Sequence, residues 1–231
     1  MISLAIEEDF LTMSFSVLLS FAAASLLLAI APGPDNIFVL TQSALYGAKK
    51  GMAVIAGLCL GIMCQTLCLI VGVSALIAAY PALMIAIKLI GVAYLSYLSY
   101  QALKAAWQLK TVSTSHSTKP QLAKKSAPQM RMGQLIRRGF IMNITNPKVQ
   151  LFFLSFFPQF LPSNAHGLTL AWYMLVLGAI FALDTILVFG AIALGAGTLS
   201  QAFHSPAFNS KLNLGAALVF IGLSLYTLLS L

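Results

Sequence analysis

The chain has 231 residues, 60% of them hydrophobic and 8% charged, with 13 Lys and Arg against 5 Asp and Glu and a formal net charge of +8. Soluble domains carry about 25% charged residues, so this composition, with a mean hydropathy of +0.94, excludes a water-soluble globular domain and leaves an all-α integral membrane protein. The length accommodates six spans of about 25 residues and no sizeable soluble unit besides, so a single transmembrane domain over residues 1–231 is expected.

Residues 1–13, MISLAIEEDFLTM, form an N-terminal tail. Glu7, Glu8 and Asp9 make it acidic where a secretory signal is basic, so the first span is expected to be retained. Met13 is an alternative start of translation. Apolar segments then follow at 14–41, 51–79, 82–104, 136–161, 168–198 and 212–230, each long enough to cross a hydrocarbon core. Residues 105–135, rich in Ser, Thr, Lys and Pro, read as a basic loop rather than a domain.

The first span carries LLLAIAPGPDNIFVL, in which Pro32, Gly33 and Pro34 interrupt the helix and Asp35 and Asn36 follow at once. Proline removes an amide donor and leaves a carbonyl of the preceding turn without its partner. In lipid such a break survives only where protein or a wet cavity satisfies the freed groups. Asp35 and Asn36 stand at the N-terminus of the new half-helix, where the dipole favours negative charge. The second span holds Cys59, Cys64 and Cys68, with Cys64 and Cys68 on one helix face and no histidine nearby. They are expected to be small buried packing residues, not a metal site. Gly57 and Gly61 in the same span, and GAIALGAG from Gly190 to Gly197 in the fifth, predict close helix packing. The third span has Lys88 toward one end, where its stem can snorkel, and Tyr94, Tyr97 and Tyr100, which fit an interfacial belt or a stacking surface.

The fourth span is broken in turn: FIMNITNPKVQLFF places Asn143, Thr145, Asn146 and Pro147 in its middle and Lys148 directly after. Spans one and four are the first members of two three-span halves, and an odd number of spans per half inverts one half relative to the other. Breaks in matching places predict an inverted-repeat transporter with its site between them. Asp184, in IFALDTILVF of the fifth span, is mid-membrane on a side chain too short to reach the surface. Asp35, Lys88, Lys148 and Asp184 are thus the ionisable groups set within apolar segments, where charge is paired or lines a pathway. His116, His166 and His204 are loop residues without partners at a metal or catalytic spacing.

Lys49 and Lys50, the basic run from Lys104 to Arg138, and Lys211 all fall on one side of a six-span arrangement, and the loops and termini opposite carry no Lys or Arg. That side is expected to be cytoplasmic, with both termini periplasmic. The positive charge therefore reports topology and some contact with anionic lipid, not nucleic acid.

Taken together, APGPDNIFVL, YGAKKGMAVIAGLCLG, KLIGVAYLSYLSYQALK and GFIMNITNPKVQLFFLSFFPQF resemble the LysE/RhtB family of bacterial amino-acid exporters, over nearly the whole chain from about Met13. The resemblance implies export of amino acids or their derivatives across the inner membrane, driven by the proton gradient or membrane potential, without a cofactor, with a homodimer as a further expectation. It places the family motifs on Pro32, Gly33, Pro34, Asp35 and Asn36 and on Asn146, Pro147 and Lys148; many relatives have Asn in place of Asp35. A zwitterionic substrate needs an anionic and a cationic or dipolar partner, and Asp35 or Asp184 with Lys148 or a half-helix N-terminus provide them. A carboxyl group shielded from water is also a candidate proton carrier, a role expected of Asp184. Three alternatives have weaker support. An intramembrane enzyme needs a nucleophile with its base, or a metal cluster; a channel favours rings of polar residues; an exporter of metal cations needs acidic or thiol ligands beyond Cys64 and Cys68.

Overall fold

A computed structural model describes residues 14–79, 81–112, 129–162, 165, 167–197 and 205–229. All regular structure among them is helical. In order come α1 (Phe15–Ile30), α2 (Pro34–Tyr46), α3 (Ala48–Ala79), α4 (Pro81–Val112), α5 (Met132–Thr145), α6 (Pro147–Leu151), α7 (Gly167–Leu194) and α8 (Pro206–Leu229). A π-helical turn, Phe152–Phe156, and a 3-10 turn, Phe157–Phe160, continue α6. The tail 1–13, His116, His166 and His204 lie outside the described residues.

The section Ala48–Gly72 of α3, together with α7 and α8, is long and apolar enough to cross a membrane, and α1 with α2 passes the same test as a pair bent by 64°. The chain is therefore an all-α, multi-pass membrane protein. Both interruptions read from the sequence are breaks in the helices: Ala31 and Gly33 are extended between α1 and α2, and Asn146 is extended between α5 and α6. Several boundaries differ from expectation. Helix α3 begins at Ala48 instead of 51, and α5 at Met132 instead of 136, so that 132–135, read as loop, are helical. Helix α4 continues past Lys104 to Val112, which makes 105–112 helical as well, and α8 begins at Pro206 instead of 212. The polar extensions hold each other in helical form, since Ser210 Oγ donates to the carbonyl of Ala106 at 2.9 Å.

This contact is one of a series that joins α4 to α8. Ser99 Oγ donates to Ala217 O at 3.1 Å, Ser224 Oγ to Val92 O at 3.3 Å, and the hydroxyls of Ser96 and Ser224 lie 2.9 Å apart. Lipid offers no hydrophobic drive to join two helices, so hydroxyl bonds and close packing do it. Close packing governs the α3–α5 contact. A Cβ on Gly57 would stand 2.0 Å from Ile136 O, one on Gly139 2.2 Å from Val54 O, and one on Gly61 2.6 Å from Asn143 Oδ1. The GxxxG of the second span is thus a packing motif. The glycines of the fifth apolar segment are not all alike: among the described residues nothing stands within 4 Å of a Cβ position at Gly190 or Gly197, whereas Gly178, not singled out beforehand, abuts Thr66 Oγ1 at 2.4 Å. The cysteines also depart from expectation, because Cys68 is exposed and only Cys59 and Cys64 are partly buried.

Buried apolar residues form two clusters. One is aromatic, built on Phe21, Phe152, Phe153, Phe156, Phe157, Phe160 and Phe181, with Phe153 stacked on Phe157 at 5.0 Å and Phe21 edge-on to Phe157 at 5.4 Å. The other is aliphatic, built on Val39, Leu40, Val54, Ile55, Leu58, Ile192 and Ala193 with Phe189. The two breaks lie where these clusters meet.

Candidate functional site

At the first break the missing amides of Pro32 and Pro34 and the extended backbone at Gly33 leave carbonyls of the last turn of α1 unpaired, as the end of any helix does. Side chains supply the partners. Asn36 Nδ2 donates to Ala29 O at 3.0 Å. Lys148 Nζ donates to Leu28 O at 3.0 Å and to Ala31 O at 2.9 Å. The ammonium also complements the negative end of the α1 dipole. Pro34 occupies the first position of α2, where its ring geometry is favourable and its missing donor costs nothing, and Asp35 falls in the first turn.

At the second break Asn146 performs two tasks. Its Oδ1 accepts from Lys148 N at 3.0 Å, capping α6, and its Nδ2 donates to Asp35 Oδ2 at 2.6 Å. The breaks are therefore tied reciprocally: Asn146 to Asp35, and Lys148 to the carbonyls of α1. Lys148 and Asp35 also attract each other electrostatically. Gly33 closes the set from the side, since a Cβ there would meet Lys148 Nζ at 3.4 Å and Asn36 Oδ1 at 3.6 Å.

A small cavity of about 20 Å³ opens onto this set. Asp35, Asn143, Lys148 and Thr185 supply its polar wall, and Leu28, Leu58, Val149, Phe181 and Phe189 are among its apolar residues. That volume suits about one water molecule. Asn143 is fixed by Gln65, whose Nε2 donates to Asn143 Oδ1 at 2.9 Å and to its carbonyl at 3.2 Å.

Of the residues singled out from the sequence, the structure brings Asp35, Asn36, Asn146 and Lys148 together with the breaks at Pro32, Gly33, Pro34 and Pro147. Asp184 stands apart. It is buried on α7 and accepts from Ser25 Oγ of α1 at 2.5 Å, and the neighbouring Thr185 faces the cavity in its place. Lys88 is half-buried on α4 and outside the cavity wall. Tyr97 and Tyr100 are exposed, as suits a lipid-facing belt. Sequence reasoning missed Ser25, Gln65 and Thr185. A serine or threonine in an apolar helix is common enough that only the facing helix reveals its partner.

Two broken helices tied across a buried polar centre, in a multi-pass membrane protein, are the architecture of a solute transporter. The family model of the LysE type translocator matches residues 26–231, and the chain belongs to that family. It is a transporter of the bacterial inner membrane and not an enzyme. Among its relatives are an uncharacterized membrane protein of Vibrio cholerae serotype O1, 29% identical over 91% of this chain and 95% of the relative, and one of Pseudomonas aeruginosa, 33% identical over 85% and 88%. A leucine efflux protein of Klebsiella pneumoniae is 30% identical over 69% of this chain and 70% of its own length. No solved structure matches the chain.

Proposed function

We propose that the chain exports amino acids from the cytoplasm, binding them at the junction of the two breaks. The observation that carries this reading is the set Asp35–Asn146–Lys148 beside a cavity with an otherwise largely apolar wall. Asp35 Oδ1 is buried and has no hydrogen-bond partner among the described residues, which leaves an acceptor for a substrate ammonium. An ammonium has three donors, and Lys148 commits two of them to Leu28 and Ala31, which leaves one for a substrate carboxylate. Leu28, Leu58, Val149, Phe181 and Phe189 would then receive an apolar side chain. The leucine efflux protein among the relatives supports an amino acid of that kind.

The cavity is too small for an amino acid, so transport requires the halves to move apart around the breaks. Six spans in two inverted halves fit this requirement. The pairings also support that arrangement, because exchanging the halves maps α4–α8 and α3–α7 onto themselves and α3–α5 onto α7–α1, and all of these helices pack together. The basic residues orient the connection between α4 and α5 toward the cytoplasm. Asp184, held by Ser25 away from the cavity wall, is the proposed proton carrier that couples export to the proton gradient.

The test is transport in everted vesicles and in expressing cells with a panel of labelled amino acids. Wild type should move leucine or a similar apolar amino acid, and Asp35→Asn should weaken or abolish that. Asp184→Asn should stop gradient-driven flux while leaving substrate exchange. If no amino acid moves, the substrate class is wrong; if Asp184→Asn leaves net flux intact, that carboxylate is structural.

A further inference from the structure

Four buried side-chain oxygens lack a hydrogen-bond partner among the described residues: Asp35 Oδ1, Asn36 Oδ1, Gln42 Oε1 and Ser43 Oγ. All four belong to α2. Their residues are 4%, 2%, 9% and 5% exposed, so none relies on open solvent in this conformation. Six other buried polar side chains, Ser25, Thr66, Ser99, Asn143, Asn146 and Ser210, find partners. An unpaired buried polar group costs about 1–3 kcal/mol, and a concentration of four on one helix calls for a cause.

Their placement supplies one. At 3.6 residues per turn the four positions share a stripe about 120° wide, with Val39 inside it, and at 1.5 Å per residue Asp35 and Ser43 are about 12 Å apart. The stripe starts at the cavity, which Asp35 lines, and runs toward the end of the helix that precedes Lys49 and Lys50. Ile37 and Leu45, on the opposite face, are exposed. The stripe packs against α3 and α7. Ser43 Oγ fits against Gly51 of α3, where a Cβ would come within 1.9 Å of it, and Ala193 of α7 stands 3.0 Å from that same Cβ position. Arg138 of α5, 4.7 Å above the Phe38 ring, is a further tie on α2. The helix also has a joint at each end. Residues 31–33 leave the helix on one side, with Gly33 extended, and Gly47, with φ 87°, lies on the other.

We infer that α2 is the gate on the basic side of the molecule, and that Asn36, Gln42 and Ser43 line a water-filled path by which an amino acid reaches the cavity from that side. In the closed arrangement described here the stripe is pressed against Gly51 and Ala193 and its oxygens are unpaired. When α2 turns about its two joints, water and the polar ends of the substrate meet them. The unpaired groups thus raise the energy of the closed form and help it to open. The inference rests on the transporter reading above, but its first test needs no substrate.

Gln42→Cys, Ser43→Cys, Ile37→Cys and Leu45→Cys are each treated with a charged, membrane-impermeant thiol reagent, in vesicles of both orientations. The unsubstituted chain gives the background from Cys59, Cys64 and Cys68. The expected result is labelling at 42 and 43 from the side bearing Lys49, on the order of tenfold faster than at 37 and 45. Labelling at 42 and 43 only from the other side, or no faster than at 37 and 45, overturns the proposal. In a second measurement, Gln42→Leu and Ser43→Ala should raise the melting temperature by about 2–5 °C while slowing transport several-fold. Higher melting with undiminished transport also overturns it. Labelling as expected in a protein that moves no amino acid would leave the path standing and remove only the proposed substrate.

Discussion

Replacing Lys148 with methionine preserves much of the side chain's length and removes its charge. Two donors are lost, to Leu28 O at 3.0 Å and Ala31 O at 2.9 Å, at a break where prolines at 32 and 34 prevent the backbone from supplying others. A hydrogen bond from a charged group is worth about 1.5–3 kcal/mol, and a carbonyl left bare costs a similar amount. Asp35 meanwhile loses the attraction of a nearby cation. These losses overlap, so Lys148→Met should destabilise the folded protein by about 3–5 kcal/mol in all, a drop on the order of 10 °C in Tm. The assay is thermal unfolding of the purified protein in detergent, followed by tryptophan fluorescence or thiol exposure. Lys148→Met combined with Asp35→Asn should recover a measurable part of the loss, because the stranded carboxylate is gone while the bare carbonyls remain. An unchanged Tm in the single variant, or strictly additive effects in the double one, would refute the assignment of Lys148 as the partner that closes the first break.

Other consequences can be checked with the same preparation. Gly57→Val should sharply reduce folded yield, because its Cβ would meet Ile136 O at 2.0 Å; Gly190→Ala, with open space around it, should be neutral or stabilise by up to about 1 kcal/mol through helix propensity. Ser25→Ala removes the hydroxyl that bonds Asp184 at 2.5 Å and should cost about 1–3 kcal/mol, an effect that shrinks in an Asp184→Asn background. Ser99→Ala, which cuts one bond of the α4–α8 series, should cost only about 0.6 kcal/mol, the usual worth of such bonds between membrane helices.

What the sequence disclosed depended on how far apart the interacting groups are in the chain. The breaks at Pro32–Pro34 and Asn146–Pro147 are local: proline removes a donor wherever the chain goes, so both were legible. The expectation that breaks need polar company pointed to Asp35, Asn36, Asn146 and Lys148, and these four do meet. The contacts themselves were not legible. Nothing near Lys148 in the chain says that its ammonium bonds Leu28 O and Ala31 O, and nothing near Asp184 points to Ser25. The glycines teach the same lesson. Gly57 and Gly61 face a helix, Gly190 and Gly197 have open space, and Gly178 presses on Thr66; spacing alone does not distinguish them, because packing depends on the opposite surface. The ends of α4 and α8 were misplaced for a related reason, since Ser210 bonds the carbonyl of Ala106 on the facing helix.

The reciprocal tie between the breaks has a bearing on how the protein is made. Membrane proteins enter the bilayer from the N-terminus onward, and α1 is complete when most of the chain is still unsynthesised. Until residue 148 emerges and α6 docks, the carbonyls of Leu28 and Ala31 have no lysine to bond, so the broken α1–α2 pair cannot yet rest in lipid in its final shape. Its early lodging has to be a provisional one, with the Pro32–Pro34 turn near water at the headgroups or against the insertion machinery. Docking of α6 is what allows α1 and α2 to settle, and a chain truncated before Lys148 should be recognised by quality-control proteases as unfinished even though several helices are already in place.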